Sequence, residues 1–136
     1  MRVLIDTNVI LDVLLKRSPF YEAAIEVLKL SVREDIQEFV SASAITDIYY
    51  IAYKNMRDKA VVRELLKLLL IVSVAGVSEE EIQKALELGW KDFEDSVQYS
   101  VALLNEMNGL ITRNVKDYSS SEIQVWEPNQ FLELVQ

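Results

Sequence analysis

The residues best suited to chemistry in this 136-residue chain are acids. There is no histidine and no cysteine, which excludes Ser-His and Cys-His nucleophilic catalysis, disulfides, and zinc bound by thiolate or imidazole. Acid–base or metal chemistry must therefore run on Asp, Glu, Lys, Tyr or bound water. Asp6 is the most conspicuous acid, because it directly follows the apolar run Val3-Leu4-Ile5 and Asp is depleted in strands. Asp47, Asp92, Asp95, Asn114 and Asp117 lie further along. Each has an ordinary reading when taken alone. Asp92 suits a helix N-cap with Asp95 at its third position, Asp47 can serve a helix start, and Asp117 can be a turn residue. Taken together at one edge of a fold, such carboxylates would repel one another unless cations lay between them. Hard carboxylate oxygens favour Mg²⁺ or Mn²⁺, and an ion of that kind activates water and stabilises charge on a cleaving phosphodiester.

The elements that must position these acids follow from hydrophobic periodicity and caps. Val3-Leu4-Ile5 reads as a buried strand, with a helix from about Thr7 to Leu15 after it. Ser18 reads as the N-cap and Pro19 as the first residue of a helix to about Val32, which buries Ala23, Ala24, Val27, Leu28 and Leu30. A second strand is expected at Phe39–Ala42, and Ser43 is expected to cap a helix through Tyr53. On that helix Tyr49, Tyr50 and Tyr53 read as core packing of one face. A helix from about Asp58 to Leu69 and a strand over Ile71–Ala75 follow. Ser78-Glu79-Glu80-Glu81 is a capping box, and Asp92 opens a helix to about Asn105. Gly109 reads as turn punctuation, Leu110–Thr112 and Ile123–Val125 as the last strands, and Pro128 as the prelude to a short terminal helix. Strands alternating with helices predict a three-layer α/β/α sandwich around a central parallel sheet of four to five strands. Residues 1–136 are expected to form one domain, since the length leaves little room for a second. In open parallel sheets, sites form beyond the carboxyl ends of the strands. Asp6, Asp47, Asn114 and Asp117 all follow strands, and Asp92 and Asp95 share one helix face.

Composition bounds the partners. Hydrophobic residues make up 51% of the chain, enough to fill a core. The formal charge of −8 argues against simple electrostatic capture of nucleic acid, which ordinarily needs a basic surface. The N-terminal apolar run is too short for a signal peptide, and the longest apolar stretch, Leu68 to Val77, is too short for a membrane span. A cytoplasmic protein without a membrane association is the expectation.

Four segments resemble the ordered motifs of the PIN domain family. Val3-Leu4-Ile5-Asp6-Thr7-Asn8 is similar to the opening motif, and Ser43-Ala44-Ile45-Thr46-Asp47 to the second, where Glu is commoner than Asp. Asp92-Phe93-Glu94-Asp95-Ser96-Val97-Gln98 resembles the third, with Asp95 at the usual acidic position. Leu110-Ile111-Thr112-Arg113-Asn114-Val115-Lys116-Asp117-Tyr118 resembles the fourth, which more often ends in Phe. The likeness runs from Val3 to about Phe131.

That resemblance implies a ribonuclease dependent on one or two Mg²⁺ or Mn²⁺ ions, similar to the toxins of toxin–antitoxin pairs. By analogy Asp6, Asp47, Asp95 and Asp117 would be catalytic metal ligands, Asn114 a ligand through its amide oxygen or a water, and Asp92 a secondary ligand. Thr7, Asn8 and Thr112 would orient carboxylates or water by hydrogen bonds. Of the candidate cations for an RNA backbone, Arg113 and Lys116 are favoured because they flank the acids. RNA, a small antitoxin protein and a second copy of the chain are the implied partners, with Tyr50 a candidate for such an interface. The alternative is a weak or inactive PIN-like module that binds RNA or a protein. A haloacid-dehalogenase-type phosphatase is disfavoured because Asn8 stands where its second Asp belongs. A response-regulator receiver is disfavoured because the third strand ends in Ala75-Gly76-Val77 rather than in Asp.

Overall fold

The computed structural model describes residues 1–136. Five strands, β1 (Arg2–Ile5), β2 (Gln37–Ser41), β3 (Ser73–Ala75), β4 (Gly109–Ile111) and β5 (Gln124–Trp126), form one sheet in the order β3-β2-β1-β4-β5. Every neighbouring pair is parallel. Seven helices cover it: α1 (Thr7–Leu14), α2 (Tyr21–Lys29), α3 (Ala42–Met56), α4 (Lys59–Leu69), α5 (Glu79–Leu88), α6 (Phe93–Leu104) and α7 (Pro128–Val135). The result is the α/β/α sandwich that alternation of strands and helices dictates.

The sheet separates two cores. On one face Val3, Ile5, Val40 and Ile111 pack with residues of α1, α2, α3 and α7; on the other Leu4, Phe39 and Leu110 pack with α5 and α6. β1 is central and buried on both faces, which is why Val3-Leu4-Ile5 is apolar without alternation. The chain leaves β1 for β2 on one side and later returns to β4 on the other. The crevice between the ends of β1 and β4 is therefore the point at which strand order reverses, where α/β sheets form their sites.

Several boundaries differ from the sequence expectation. α2 begins at Tyr21 with Phe20 as its cap residue and no side-chain cap, because the amides of Phe20 and Tyr21 both donate to Arg17 O, at 2.9 and 2.8 Å. Ser18 and Pro19 thus belong to a turn. The cap of α3 is Ser41, whose Oγ accepts from Ala44 N; Ser43 lies within the helix, and Ala42 belongs to it rather than to β2. The tyrosines of α3 are not core: Ala44, Ile48 and Ala52 are its buried residues, and Tyr50 is 59% exposed. The small alanines let the helix backbone approach the fold closely and leave the rings at its flank. Gly109 is the first residue of β4, not a turn, since an added Cβ would lie 2.4 Å from Gln124 O and 2.6 Å from the Trp126 ring. The capping box at Ser78 and Glu81 and the N-cap at Asp92 occur as the sequence indicates.

Candidate active site

Asp6 follows β1 and caps α1, so its side chain sits at the sheet's carboxyl edge and at a helix N-terminus together. It is 4% exposed. Its Oδ1 accepts from Thr7 N–H at 2.7 Å and from Gln98 Nε2 at 2.7 Å. Its Oδ2 accepts from Thr112 Oγ1 at 2.7 Å, and from Asn8 Nδ2 and the Tyr118 hydroxyl at 3.3 Å each. These five donors come from α1, α6, the end of β4 and the 3-10 turn over Val115–Tyr118. Two backbone bonds, Asp6 N to Ile111 O and Thr112 N to Trp126 O, both 2.9 Å, extend the strand pairing past the formal strand ends and keep Thr112 beside Asp6.

A second group of acids comes from the first turn of α6. Asp92 caps the helix, and its Oδ1 accepts from Asp95 N at 3.1 Å. The half-buried Asp95 accepts from the Tyr118 hydroxyl at 3.3 Å, so one phenol donates toward both Asp6 and Asp95. Burial, followed by the charges of Asp6 and Asp92, pushes the Asp95 carboxyl up to about 6. Glu94 points elsewhere: Thr7 Oγ1 donates to its Oε1 at 3.5 Å. Burial of that carboxyl and the adjacent Asp47 push Glu94 up to about 7. Burial and the same two carboxylates, Asp6 and Asp95, drive the Tyr118 hydroxyl far upward, so it remains a donor.

Asp117 is exposed and lines an open cleft of about 680 Å³ with Trp90, Asp92, Asp95 and Lys116. Asp6 lies buried beneath the Asp95 side of this cleft through their shared bond to Tyr118. Asp47, in the second turn of α3, meets the group only through Glu94. Asn114 is exposed; its backbone N–H donates to Thr112 Oγ1 at 3.0 Å and its carbonyl accepts from Asp117 N–H at 2.9 Å. No three acidic side chains stand close enough to enclose an ion as they are oriented. The donor set nevertheless fits a hard divalent cation. All of its atoms are carboxylate or amide oxygens, burial and then the neighbouring carboxylates raise Asp95 and Glu94, and Gln98 Oε1 is buried next to Asp6 without a donor.

Arg113 has its guanidinium occupied otherwise. Its Nε stands 2.6 Å from Asp12 Oδ2 and its Nη2 donates to Asp12 Oδ1 at 3.2 Å, while its Cζ lies 4.0 Å from the centroid of the Phe20 ring. Asp12 is fully buried in α1, and a buried carboxylate takes the nearest cation. Sequence reasoning passed over Gln98, Tyr118, Glu94 and Asp12. Gln98 had a signal, since it continues the i, i+3 row of Asp92 and Asp95 along α6. Asp12 had a weaker one, as an acid within an otherwise apolar helix.

Comparison with known proteins agrees with this geometry. The PIN domain family profile matches residues 2–116. Ribonuclease VapC1 of Aquifex aeolicus (strain VF5) is 29% identical over 137 residues, covering 97% of this chain and 94% of that protein. A toxin–antitoxin complex from Klebsiella pneumoniae has a chain of similar structure, with a TM-score of 0.72 at 21% identity over 93% of this chain and 97% of that one. VapBC2 from Rickettsia felis, bound to a DNA fragment of its promoter, gives 0.73 at 16% identity over 93% and 98%. At these identities the structural likeness establishes the fold, while the family profile spans most of the sequence. The chain belongs to the PIN domain family.

Proposed function

We propose that this chain, working as a single domain over residues 1–136, is an endoribonuclease dependent on Mg²⁺ or Mn²⁺ that hydrolyses RNA phosphodiester bonds as the toxin of a toxin–antitoxin pair. The observation that carries the reading is Asp6, fixed by five donors at the strand-order reversal with Asp95 tied to it through Tyr118. The named activity of the Aquifex relative and the toxin–antitoxin assemblies of the structural neighbours support it.

Asp6 and Asp95, with Asp47, Asp92, Asn114 and Asp117 around them, are the residues that would hold one or two ions; a bound ion supplies Lewis-acid stabilisation of phosphate charge and a more acidic water. Thr112, Asn8 and the Thr7 amide hold Asp6 in one orientation. Tyr118 maintains the spacing of the two carboxylates by donating toward both. Lys116, at the rim of the cleft, is the cation assigned to an RNA phosphate. Arg113, paired with Asp12, is held away from the phosphates at this cleft.

Exposed Tyr50, Val61, Leu68, Leu70, Ile71 and Val74 leave apolar surface around α3, α4 and β3. Such surface suits an antitoxin or a second copy of the chain. No helix is long and apolar enough to cross a membrane, and the assigned substrate places the work in the cytoplasm. The second reading, a weak or inactive module binding RNA or a protein, draws on the separation of the acids and on the charge of −8.

The test is cleavage of mixed RNAs with Mg²⁺, Mn²⁺ or chelator by wild type, Asp6→Asn and Asp95→Asn. Metal-dependent cutting that both variants lose is the expected result. Metal-independent cutting, or full activity in both variants, overturns the proposal; RNA binding without cutting under any metal favours the second reading.

A further inference from the structure

A second cavity, of about 340 Å³, opens on the same edge of the sheet and has no part in the site described above. Its walls are Pro19 and Phe20 before α2, Arg113 after β4, and Glu127, Pro128 and Asn129 at the start of α7. Arg113 follows the end of β4 by two residues and Glu127 follows β5 by one, so both stand at the carboxyl edge with Asp6. Asn8 connects the two places: its Nδ2 donates to Asp6 Oδ2 and its Oδ1 accepts from Arg113 N–H, each at 3.3 Å. One side chain therefore separates the cavity from the candidate catalytic carboxylate.

We infer that this cavity binds a nucleobase of single-stranded RNA, and guanine in preference to the others, next to the bond that is cut. The inference rests on the ribonuclease reading for its place beside the scissile bond, though not for the binding itself. Bases of unpaired RNA are recognised by splaying them onto aromatic or guanidinium planes and bonding their edges. Phe20 supplies a ring that is 40% exposed, with the Arg113 guanidinium over it, its Cζ 4.0 Å from the centroid, and anchored by Asp12. That anchoring uses Nε and Nη2, leaving Nη1 to donate. The exposed Glu127, whose carboxylate also accepts from the Gln130 N–H in the α7 capping box, lines the same cavity. A fixed donor and an acceptor lining one cavity suit guanine, which offers O6 and N7 as acceptors and its N1–H and amino group as donors. Adenine presents an amino donor where guanine has O6, and a pyrimidine lacks the N7 acceptor beside that position.

The experiment is an NMR titration of the full chain, with chelator present, using the 5′-monophosphates of guanosine, adenosine, cytidine and uridine. Cleavage of short RNAs varied at each position around the cut then follows. Binding of guanosine monophosphate at least tenfold tighter than the others is expected, with shifts at the Phe20 ring and at the Arg113 and Asn129 amides. Cleavage is expected to favour guanine at one fixed position. Glu127→Gln keeps an oxygen for the α7 cap and should lose most of both preferences; Phe20→Leu should weaken binding while leaving the fold intact by circular dichroism. Equal binding of the four nucleotides, shifts elsewhere only, or a guanine preference that survives in Glu127→Gln overturns the inference even if RNA is cut. Selective guanosine binding at Phe20 without cleavage under any metal upholds the pocket and overturns the ribonuclease reading, so the two failures are distinguishable.

Discussion

At Asp6, five donors converge on one carboxylate, and each is a separate handle on function. Thr112→Val removes a 2.7 Å donor and leaves the shape nearly unchanged. It is expected to lower cleavage or metal affinity about 10–100-fold, the usual cost of losing a partner of a ligating group. Asp6→Asn should fall below it, because an amide presents donors to donors; initial rates across Mn²⁺ concentrations check both. Metal binding should also register without any turnover. Saturating Mn²⁺ at about 100 times its dissociation constant stabilises a protein by about 2.7 kcal/mol, so the melting temperature of wild type should rise with Mn²⁺ and that of Asp95→Asn should rise far less. Arg113 makes a different prediction. Replacing it with Ala strands the fully buried Asp12 carboxylate, and breaking a buried pair costs about 3–5 kcal/mol. The lower part of that range is expected, since Arg113 is 25% exposed and Arg17 stands 3.8 Å from Asp12. Urea unfolding measures the loss, and adding Asp12→Leu to Arg113→Ala should recover part of it.

Among the elements, β4 carries the tightest constraint. Gly109 faces Gln124 O and the Trp126 ring so closely that a Cβ has no room. Gly109→Ala must push β5 away or bend β4, and overpacking of this kind costs about 1–3 kcal/mol. Because Thr112 N bonds Trp126 O just beyond these strands, the same change should displace Thr112 and lower activity more than its stability loss explains. Paired measurement of unfolding free energy and cleavage rate separates the two effects. The helix caps were readable beforehand at Ser78 and Asp92, since a cap is a relation between residues two or three apart. Where tertiary contacts compete, local signals misled. Ser43 has cap chemistry, yet strand pairing carries β2 through Ser41 and makes that serine the cap instead. Ser18-Pro19 has the pattern of a helix start, yet Phe20 is drawn against Arg113 and the helix begins later.

For the molecule as a whole, the most consequential titratable group lies outside the site. Glu38, in β2, is 3% exposed, neither of its oxygens has a partner, and burial alone pushes its carboxyl from 4.5 up to about 8. The native state thus binds the proton more tightly than the unfolded chain, and stability must fall as pH rises from the unfolded value through the native one. Between pH 5 and 9 this one group should cost on the order of 3–5 kcal/mol. Glu38→Gln should flatten that slope in denaturant unfolding across the same range; an unchanged slope would show that Glu38 is ionised and solvated in the native protein. The strand expected at Phe39–Ala42 begins at Gln37 instead, and this shift is what carries Glu38 into the core.

The sequence by itself determined the α/β/α layering, the central buried strand and the location of most acids at one edge, because these depend on periodicity and on short-range order along the chain. It also made Asp6 conspicuous, through an acid at the end of an apolar run. Only the tertiary structure decided which side chains hold that acid. Gln98 reaches Asp6 across 92 positions, Tyr118 across 112, and Arg113 reaches Asp12 across 101. Partnerships of that span arise from the order in which strands pack, which no local pattern encodes. The same folding brings the loop before α2 against the start of α7 and so creates the cavity at Phe20 and Glu127.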